Sequence, residues 1–571
     1  MIVYSDRRRR VAPREFLERL IRSFGAPRHD TLALLVETGV LEAGVADALC
    51  PEEDHQGEGL AELRAAMLDL ARALRGDADR LVSARKRLAG IAARLSPEPV
   101  EVSEPEGFAF YALYPETYAE AARRFLRAEQ PERAMVVGLR SIGTTLSAVV
   151  AAELEAQGVE VTSFTVRPRG HPWDRKLRLS PELRAGLGQG GPVLIVDEGP
   201  GISGSSFASV AEAASEAGVP DDRIHLFPSW DSDGSGLRSE RARAVWPRVK
   251  RWVVSFEETF LDTGRLAAAW GGGGLRDISG GLWREVVPSC RDVAVQPQHE
   301  RRKYLLERGD GTPLLLKFVG LGDRGHRALA RAEIQAADGF ASPVAGLRDG
   351  FLAQEWVKGH PAGSALHART AEDTGSNWSA TMGRYLGHLA TQTKGAARFD
   401  DILAMVRLNV GEGLGGEALG HVAWLERMRA AVEARPAVAV DGRMLPQEWL
   451  RSEAGERLKC DGLDHHDDHF WPGAQDIAWD LAGAMVEWGM EPEAREALLQ
   501  HYESCSEIRP GARDDGAREV LHFYEATYLA YRLGYTTLAA ETLGSGEDGC
   551  RMARDRDRYA GLLRAALERG A

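Results

Sequence analysis

The stretch Val193–Ser206, reading Val-Leu-Ile-Val-Asp-Glu-Gly-Pro-Gly-Ile-Ser-Gly-Ser-Ser, constrains the fold of this chain more than any other. Four apolar, mostly branched residues in a row read as a strand buried on both faces, the pattern of a parallel sheet. The strand ends on two acids, Asp197 and Glu198, and Phe207 then opens a helical pattern. Adjacent carboxylates at a strand's carboxyl end can accept hydrogen bonds from a vicinal diol or hold Mg²⁺ beside one. Gly201, Ser203, Gly204, Ser205 and Ser206 let backbone N–H groups and hydroxyls close around a phosphate at the helix N-terminus. A ribose carrying a 5-phosphate presents both features. An ordinary strand–loop–helix joint without a ligand fits the same residues.

The flanks supply context. Ala134–Thr145 reads as a strand and a glycine-bearing loop, followed by a helix over Leu146–Ala156. Strand, phosphate-compatible loop and helix thus occur twice, as a doubly wound α/β domain requires. The Val193–Ser206 motif resembles the PRPP-binding signature of type I phosphoribosyltransferases, with a slightly longer loop and Ser in place of the usual Thr. The resemblance implies that the earlier loop, through Arg140, Ser141, Gly143, Thr144 and Thr145, holds the pyrophosphate of PRPP. Arg140 would then form a charged fork to the diphosphate. Between the two loops lies Thr165–Arg178, which carries Arg167, Arg169, Arg175, Lys176 and Arg178 among turn formers. It falls where the family places a mobile loop that closes over PRPP and supplies positive charge as pyrophosphate leaves. A basic surface loop is the plainer reading.

A chain of 571 residues is too long for one core and suggests roughly three or four domains. Its 71 basic and 85 acidic residues give a net charge of −14, which argues against a nucleic-acid coat. Five cysteines without CxxC spacing point to reduced thiols and no zinc finger. No apolar run approaches the ~18 residues that would span a bilayer, so the expectation is a cytoplasmic protein with small-molecule partners and neither nucleic acid nor membrane; homo-oligomerisation stays open. Residues 1–100 read as amphipathic helices, with Arg7–Arg10 as a solvated charge run and a Pro/Glu-rich boundary at 96–106.

After Gly271–Gly274 and Ser279–Gly281, which read as a hinge, the composition becomes β-like. A strand over Leu314–Val319 carries Lys317, a helix over Gly325–Gly339 carries Glu333, and a later strand reads Gln-Glu-Trp-Val over Gln354–Val357. Asp310-Gly-Thr marks a hairpin turn. This order resembles the small lobe of aminoglycoside-phosphotransferase-like kinases. The resemblance implies that Lys317 contacts the ATP phosphates while paired with Glu333, and that Glu355 and Val357 face adenine. In the large lobe, Asp461 matches the Mg²⁺ aspartate and Asp480 the structural Asp-Leu-Ala helix start. The catalytic loop departs from the family: Arg443 stands where the catalytic Asp belongs, Glu448 where the metal-binding Asn belongs, and Asp441 two residues early. The run Asp464–His469 reads as a polar loop beside Asp461, or as a transition-metal site.

The sequence therefore predicts a multidomain protein mixing α/β and α+β parts. A helical extension (1–100) precedes a doubly wound phosphoribosyltransferase-like domain (105–265). A two-lobed kinase-like domain (280–571) follows, its small lobe about 280–360 and its large lobe about 361–571. The expected function is bifunctional, a PRPP-dependent phosphoribosyl transfer joined to an ATP-dependent small-molecule phosphotransferase, with Mg²⁺. Asp197, Glu198, Asp441, Arg175 and Lys176 would serve catalysis, and Asp461 and Glu448 the metal. The alternative is a regulatory sensor that binds PRPP and nucleotide through a catalytically impaired kinase-like domain.

Overall fold

The computed structural model describes residues 1–571 except 5–7, 26–29, 190, 310, 363–374, 464, 471, 506–514 and 571. Arg7, Asp310 and Asp464, which belong to three of the motifs above, lie outside the described residues.

The first hundred residues carry the helices Pro13–Ser23, Thr31–Leu49, Glu58–Leu74 and Ala78–Ala92. Two short strands, β1 (Arg9–Val11) and β2 (Val100–Val102), pair antiparallel and tie the two ends of this unit together. The Pro/Glu-rich boundary thus contributes a strand. The apolar faces of the four helices meet in a core around Leu17, Leu35, Leu63, Met67 and Leu88, which also takes in Ala148, Val149 and Ala152 of the helix Ile142–Glu155. The extension therefore packs on the next unit.

That unit is built on five parallel strands: β3 (Arg133–Leu139), β4 (Glu160–Val166), β5 (Val193–Val196), β6 (Ile224–Phe227) and β7 (Lys250–Arg251). Their order is β4-β3-β5-β6-β7. Successive residues alternate between two cores, as a period of two requires. Val136, Leu194 and Val196 join Phe125, Leu146 and Val150, while Val137, Val193 and Ile195 join Leu183, Phe207 and Val210. Strand order reverses between β3 and β5, and in open parallel sheets ligands bind beyond the carboxyl ends of the strands at such a point. Both glycine-bearing loops lie there. They meet so closely that a Cβ on Gly143 would run into the carbonyl oxygen of Val196. Gly143→Ala is therefore expected to destabilise the chain by ~1–3 kcal/mol through overpacking. A thermal midpoint equal to wild type would contradict this close approach.

Five antiparallel strands form the next sheet: β8 (Gly274–Asp277), β9 (Lys303–Glu307), β10 (Leu314–Phe318), β11 (Val344–Arg348) and β12 (Phe351–Glu355), in the order β11-β12-β10-β9-β8. The helix Asp323–Ala337 lies between β10 and β11. The stretch expected to be a hinge instead supplies the edge strand β8, ahead of residue 280. Nor do the two sheets stand apart: Tyr304, Leu306, Leu316 and Phe318 share one core with Phe108, Tyr114, Val136 and Leu194. After β12 the chain enters a small sheet of Gly359–Pro361, Trp449–Ser452 and Arg457–Lys459. Helices including Phe399–Leu414, Ala478–Glu487, Asp515–Leu543 and Glu547–Gly570 complete a core around Tyr385, Met405, Trp449, Trp479 and Tyr528. Among the described residues no helix is long and apolar enough to cross a membrane.

Candidate functional site

At the carboxyl end of β5, Asp197 and Glu198 are half-buried. Tyr118 fixes the turn by donating its hydroxyl to the Asp197 carbonyl at 2.7 Å, and the Ser229 N–H donates to the Glu198 carbonyl at 2.7 Å. Burial pushes the Asp197 carboxyl up to about 7. Burial, with Asp197 and Glu106 nearby, pushes Glu198 up to about 8. Between the ordinary carboxylate range near ~4 and pH ~8, the folded chain holds protons that the unfolded chain has released, so stability falls as pH rises through that window. The thermal midpoint is expected to drop from pH ~5 to pH ~8, with a shallower drop in an Asp197→Asn/Glu198→Gln double variant. Equal slopes in the two proteins would refute the assignment.

The hydroxyl-lined turn is engaged by its own chain. Gly201 and Gly204 adopt φ of +55° and +70°, and Gly204 starts the helix Ser205–Glu216. Ser203 and Ser205 share a hydrogen bond at 3.1 Å, and the buried Ser205 hydroxyl donates to the Pro172 carbonyl at 2.7 Å. Arg175 donates to the Ser206 hydroxyl at 3.0 Å. The basic loop therefore lies over the turn, folded into a hairpin by reciprocal backbone hydrogen bonds between Arg169 and Lys176. Of its two expected catalytic cations, Arg175 reaches the turn. Lys176 pairs with Asp174 at 3.0 Å, where both are exposed.

The earlier loop departs further from expectation. Arg140 is buried and ion-paired with Asp54, and its Nε lies 3.1 Å from Asp47. Arg167 and Arg169 pair with the same two aspartates. The guanidinium expected to fork onto a diphosphate is thus neutralised by carboxylates of the helical extension. Thr144 and Thr145 are also buried. A Cβ on Gly39, in the helix Thr31–Leu49, would strike the Thr145 hydroxyl, and Arg64 donates to the Thr144 carbonyl at 2.8 Å. Ser141 alone of the three hydroxyl residues stays partly exposed, at the start of the helix Ile142–Glu155. The N-terminal helices cover this loop.

The second constellation lies where the antiparallel sheet meets the helical part. Lys317, buried on β10, donates to Asp461 at 2.6 Å, and Lys303 on β9 stands 3.5 Å from the other Asp461 oxygen. Burial alone would raise the Asp461 carboxyl, but Lys317, Lys303 and His465 hold it well below the usual range. Asp441 is fully buried; one of its oxygens accepts from Tyr385 at 2.7 Å and lies 3.1 Å from Lys459. The N–H groups of Asp441 and Gly442 donate to Asp480 at 2.7 and 2.8 Å, so the helix Ala478–Glu487 pins the loop. Burial and the neighbouring Asp441 push the Asp480 carboxyl up to about 8. His465 stands 3.5 Å from Asp441 and 3.6 Å from Asp461.

Glu448, expected to hold metal, accepts from Lys459 at 2.7 Å. The ligand atoms of Asp441, Glu448 and His465 all lie within 4.8 Å of one another, but the Lys459 ammonium stands between the two carboxylates. As arranged, the pair is balanced by a resident cation and does not fit a metal ion. Asp461, at the edge of the group, has the hard oxygen donors that Mg²⁺ takes, and would exchange its Lys317 and Lys303 partners for the ion.

Other expected residues are placed differently. Glu333 is exposed on the helix Asp323–Ala337, and the carboxylate facing Lys317 is that of Asp461. Glu355 ends β12 exposed, its N–H donating to the Pro343 carbonyl at 2.9 Å, and Val357 lies at the crossing to the strand Gly359–Pro361. Of the Asp464–His469 run, His465 joins this group, His466 lies against Arg331 at 2.9 Å, and Asp468 pairs with Arg301 at 3.0 Å. These partners point in different directions, so the run does not converge on one ion. Lys459, Tyr385 and Lys303 were missed by sequence reasoning, whereas His465 belongs to the run read as a polar loop beside Asp461. The one available signal was Lys459, basic and two residues ahead of Asp461 at a strand end.

No known protein-family profile matches the sequence, and no curated protein matches it. Among solved structures, the chain is similar to a choline kinase from Streptococcus pneumoniae at 15% identity, over 46% of this chain and 89% of that one, with a TM-score of 0.30. It is similar to a macrolide 2'-phosphotransferase from Brachybacterium faecium at 17% identity, over 54% and 98% of the two chains, with a TM-score of 0.31. A Plasmodium vivax ethanolamine kinase is similar at 10% identity, over 59% and 93%, with a TM-score of 0.34.

Proposed function

We propose that the antiparallel sheet and the helical part that follows it form an ATP-dependent small-molecule phosphotransferase module. The observation that carries this reading is the Lys317–Asp461 contact at 2.6 Å, made by residues 144 positions apart on the two sides of a junction. A strand lysine and a hard carboxylate at one point are what nucleotide phosphates and their Mg²⁺ need. Bound Mg²⁺ would neutralise phosphate charge, and Asp461 would hold it. Lys317 would neutralise and orient the phosphates, Glu355–Val357 would flank the base, and Asp480 would keep the Asp441 loop in place. The unit on the parallel sheet would bind a phosphorylated ribose such as PRPP, with Asp197 and Glu198 at the ring hydroxyls, Ser203 and Ser206 at the 5-phosphate and Arg175 closing over them.

A second reading, a nucleotide sensor that does not turn over, is favoured by one specific observation. Lys459 occupies the space between Asp441 and Glu448, and both Asp441 oxygens are already engaged. Calorimetry with MgATP and with MgPRPP, followed by assays of ATP consumption and pyrophosphate release against a panel of small alcohols and bases, separates the two. ATP binding with consumption supports the phosphotransferase; ATP binding without it supports the sensor. Absence of ATP binding sinks both.

A further inference from the structure

A cavity of about 830 Å³ lies where three parts of the chain meet: the helical extension, the segment leading into the parallel-sheet unit, and the junction of the antiparallel sheet with the helical part. That volume is within the range of small-molecule sites. Its lining is asymmetric. One wall is apolar, made by Phe16, Leu20, Val36, Val40 and Phe108. The other is strongly cationic. Seven arginines line the cavity against four carboxylates, Glu37, Glu104, Asp323 and Asp467. Burial raises the Glu37 carboxyl, while Arg9, Arg19 and Arg327 of the same cavity act to lower it.

The cations are arranged in two tiers. Arg324 is held in place by Glu104 at 2.8 Å, and Arg327 lies 3.5 Å from Asp467. Arg9 and Arg19 are exposed, enter no ion pair among the described residues, and extend over the ring of Phe16 at 5.9 and 4.7 Å from its centroid. The helix Asp323–Ala337 begins at this wall, with no side chain capping its first N–H groups. Its dipole adds to the positive potential. Guanidinium groups beside an aromatic ring suit a ligand that is anionic at one end and flat or apolar at the other.

We propose that this junction cavity binds a small phosphate-bearing organic anion, of the class to which nucleoside monophosphates belong. The site is separate from the Lys317–Asp461 centre and independent of the function proposed for it. The two are linked through one loop, because His465 faces Asp441 and Asp461 while the next residue, His466, lines the cavity beside Arg331.

The test is calorimetric titration of the full chain with AMP, and with inorganic phosphate for comparison. AMP is expected to bind, and more tightly than phosphate, because only AMP can use the apolar wall. An Arg9→Glu/Arg19→Glu double variant is expected to lose about tenfold or more in AMP affinity, as charge-assisted contacts are removed. Arg22→Glu, an exposed reversal on the same helix but outside the lining, should leave affinity unchanged. Thermal midpoints of all variants check that they fold, and hydrogen exchange over Pro13–Ser23 should slow when AMP is added to wild type. Absence of AMP binding overturns the proposal. So does binding that survives the Arg9/Arg19 reversal and disappears in Lys317→Ala, which would place AMP in the nucleotide cleft.

Discussion

Lys317→Ala is expected to lower ATP-dependent phosphoryl transfer by ~10²–10³, the loss typical when one preorganised partner of developing charge is removed. The lysine is 7% exposed on the central strand of a five-stranded sheet, so its ammonium is fixed by the pairing of β10 with β9 and β12. Truncation leaves Lys303, 3.5 Å from Asp461, as a more distant cation. Lys303→Ala should therefore cost less than Lys317→Ala. Asp461→Asn should match Lys317→Ala in turnover and in addition weaken the dependence on Mg²⁺. The measurements are ATP affinity by calorimetry and ATP consumption under single-turnover conditions. If the chain senses nucleotide without turning it over, the loss shows in affinity alone. A Lys317→Ala protein that binds ATP as tightly as wild type would remove this lysine from the site altogether.

Local pattern reported the strands and the polar residues at their ends. The run Val193–Val196 announced a doubly buried strand because every residue in it was apolar, and it became the centre of the parallel sheet. Lys317 and Asp461 were legible through the resemblance to kinase-like lobes: one is a charge inside the apolar run Leu314–Val319, which is costly unless a partner waits there, and the other follows the short strand Arg457–Lys459. The helix after β10 was legible, but its rotation was not used. Its buried stripe runs through Arg324, Ala328, Ala332 and Gln335. Glu333 falls off that stripe, so a count of residues from Lys317 chose a carboxylate that points outward. The partner of Arg140 was not legible. A guanidinium at a phosphate-compatible loop indicates an anion but not whether that anion belongs to a ligand or to the chain. Asp47 sits in the last turn of the helix Thr31–Leu49 and Asp54 in the short stretch after it, neither of them part of a recognisable motif. Only the packing of Thr31–Leu49 on Ile142–Glu155, set by apolar faces that match many partners, brings them to Arg140, Arg167 and Arg169. Strand β8 was hidden for another reason: it is four residues long and flanked by glycines, too short for an alternation to show.

Lys459→Met is expected to destabilise the chain by ~3–5 kcal/mol, the cost of breaking a buried ion pair from one side. Lys459 is 3% exposed and Asp441 0% exposed, with Glu448 completing the pair of carboxylates around the ammonium. Burial would raise the Asp441 carboxyl, yet Lys459 and His465 hold it below the usual range. Removing the lysine takes away the larger of these opposing influences, so Asp441 should rise and bind a proton. With its native-state value above its unfolded one, the variant becomes more stable toward low pH and loses that gain as pH rises through the new value. Wild type behaves the opposite way at this residue: its stabilisation is present above the unfolded carboxylate range and fades as pH falls through the depressed native value. The same substitution exposes a donor set of two carboxylates and an imidazole with ligand atoms within 4.8 Å, which suits Mn²⁺. Adding Mn²⁺ to Lys459→Met, but not to wild type, is therefore expected to restore much of the lost thermal midpoint. Such a rescue would identify Lys459 as a built-in cation standing where a metal ion would otherwise bind. An unchanged midpoint in Lys459→Met without metal would mean that water reaches Asp441 and Glu448, and the buried pair would no longer account for how this loop is held.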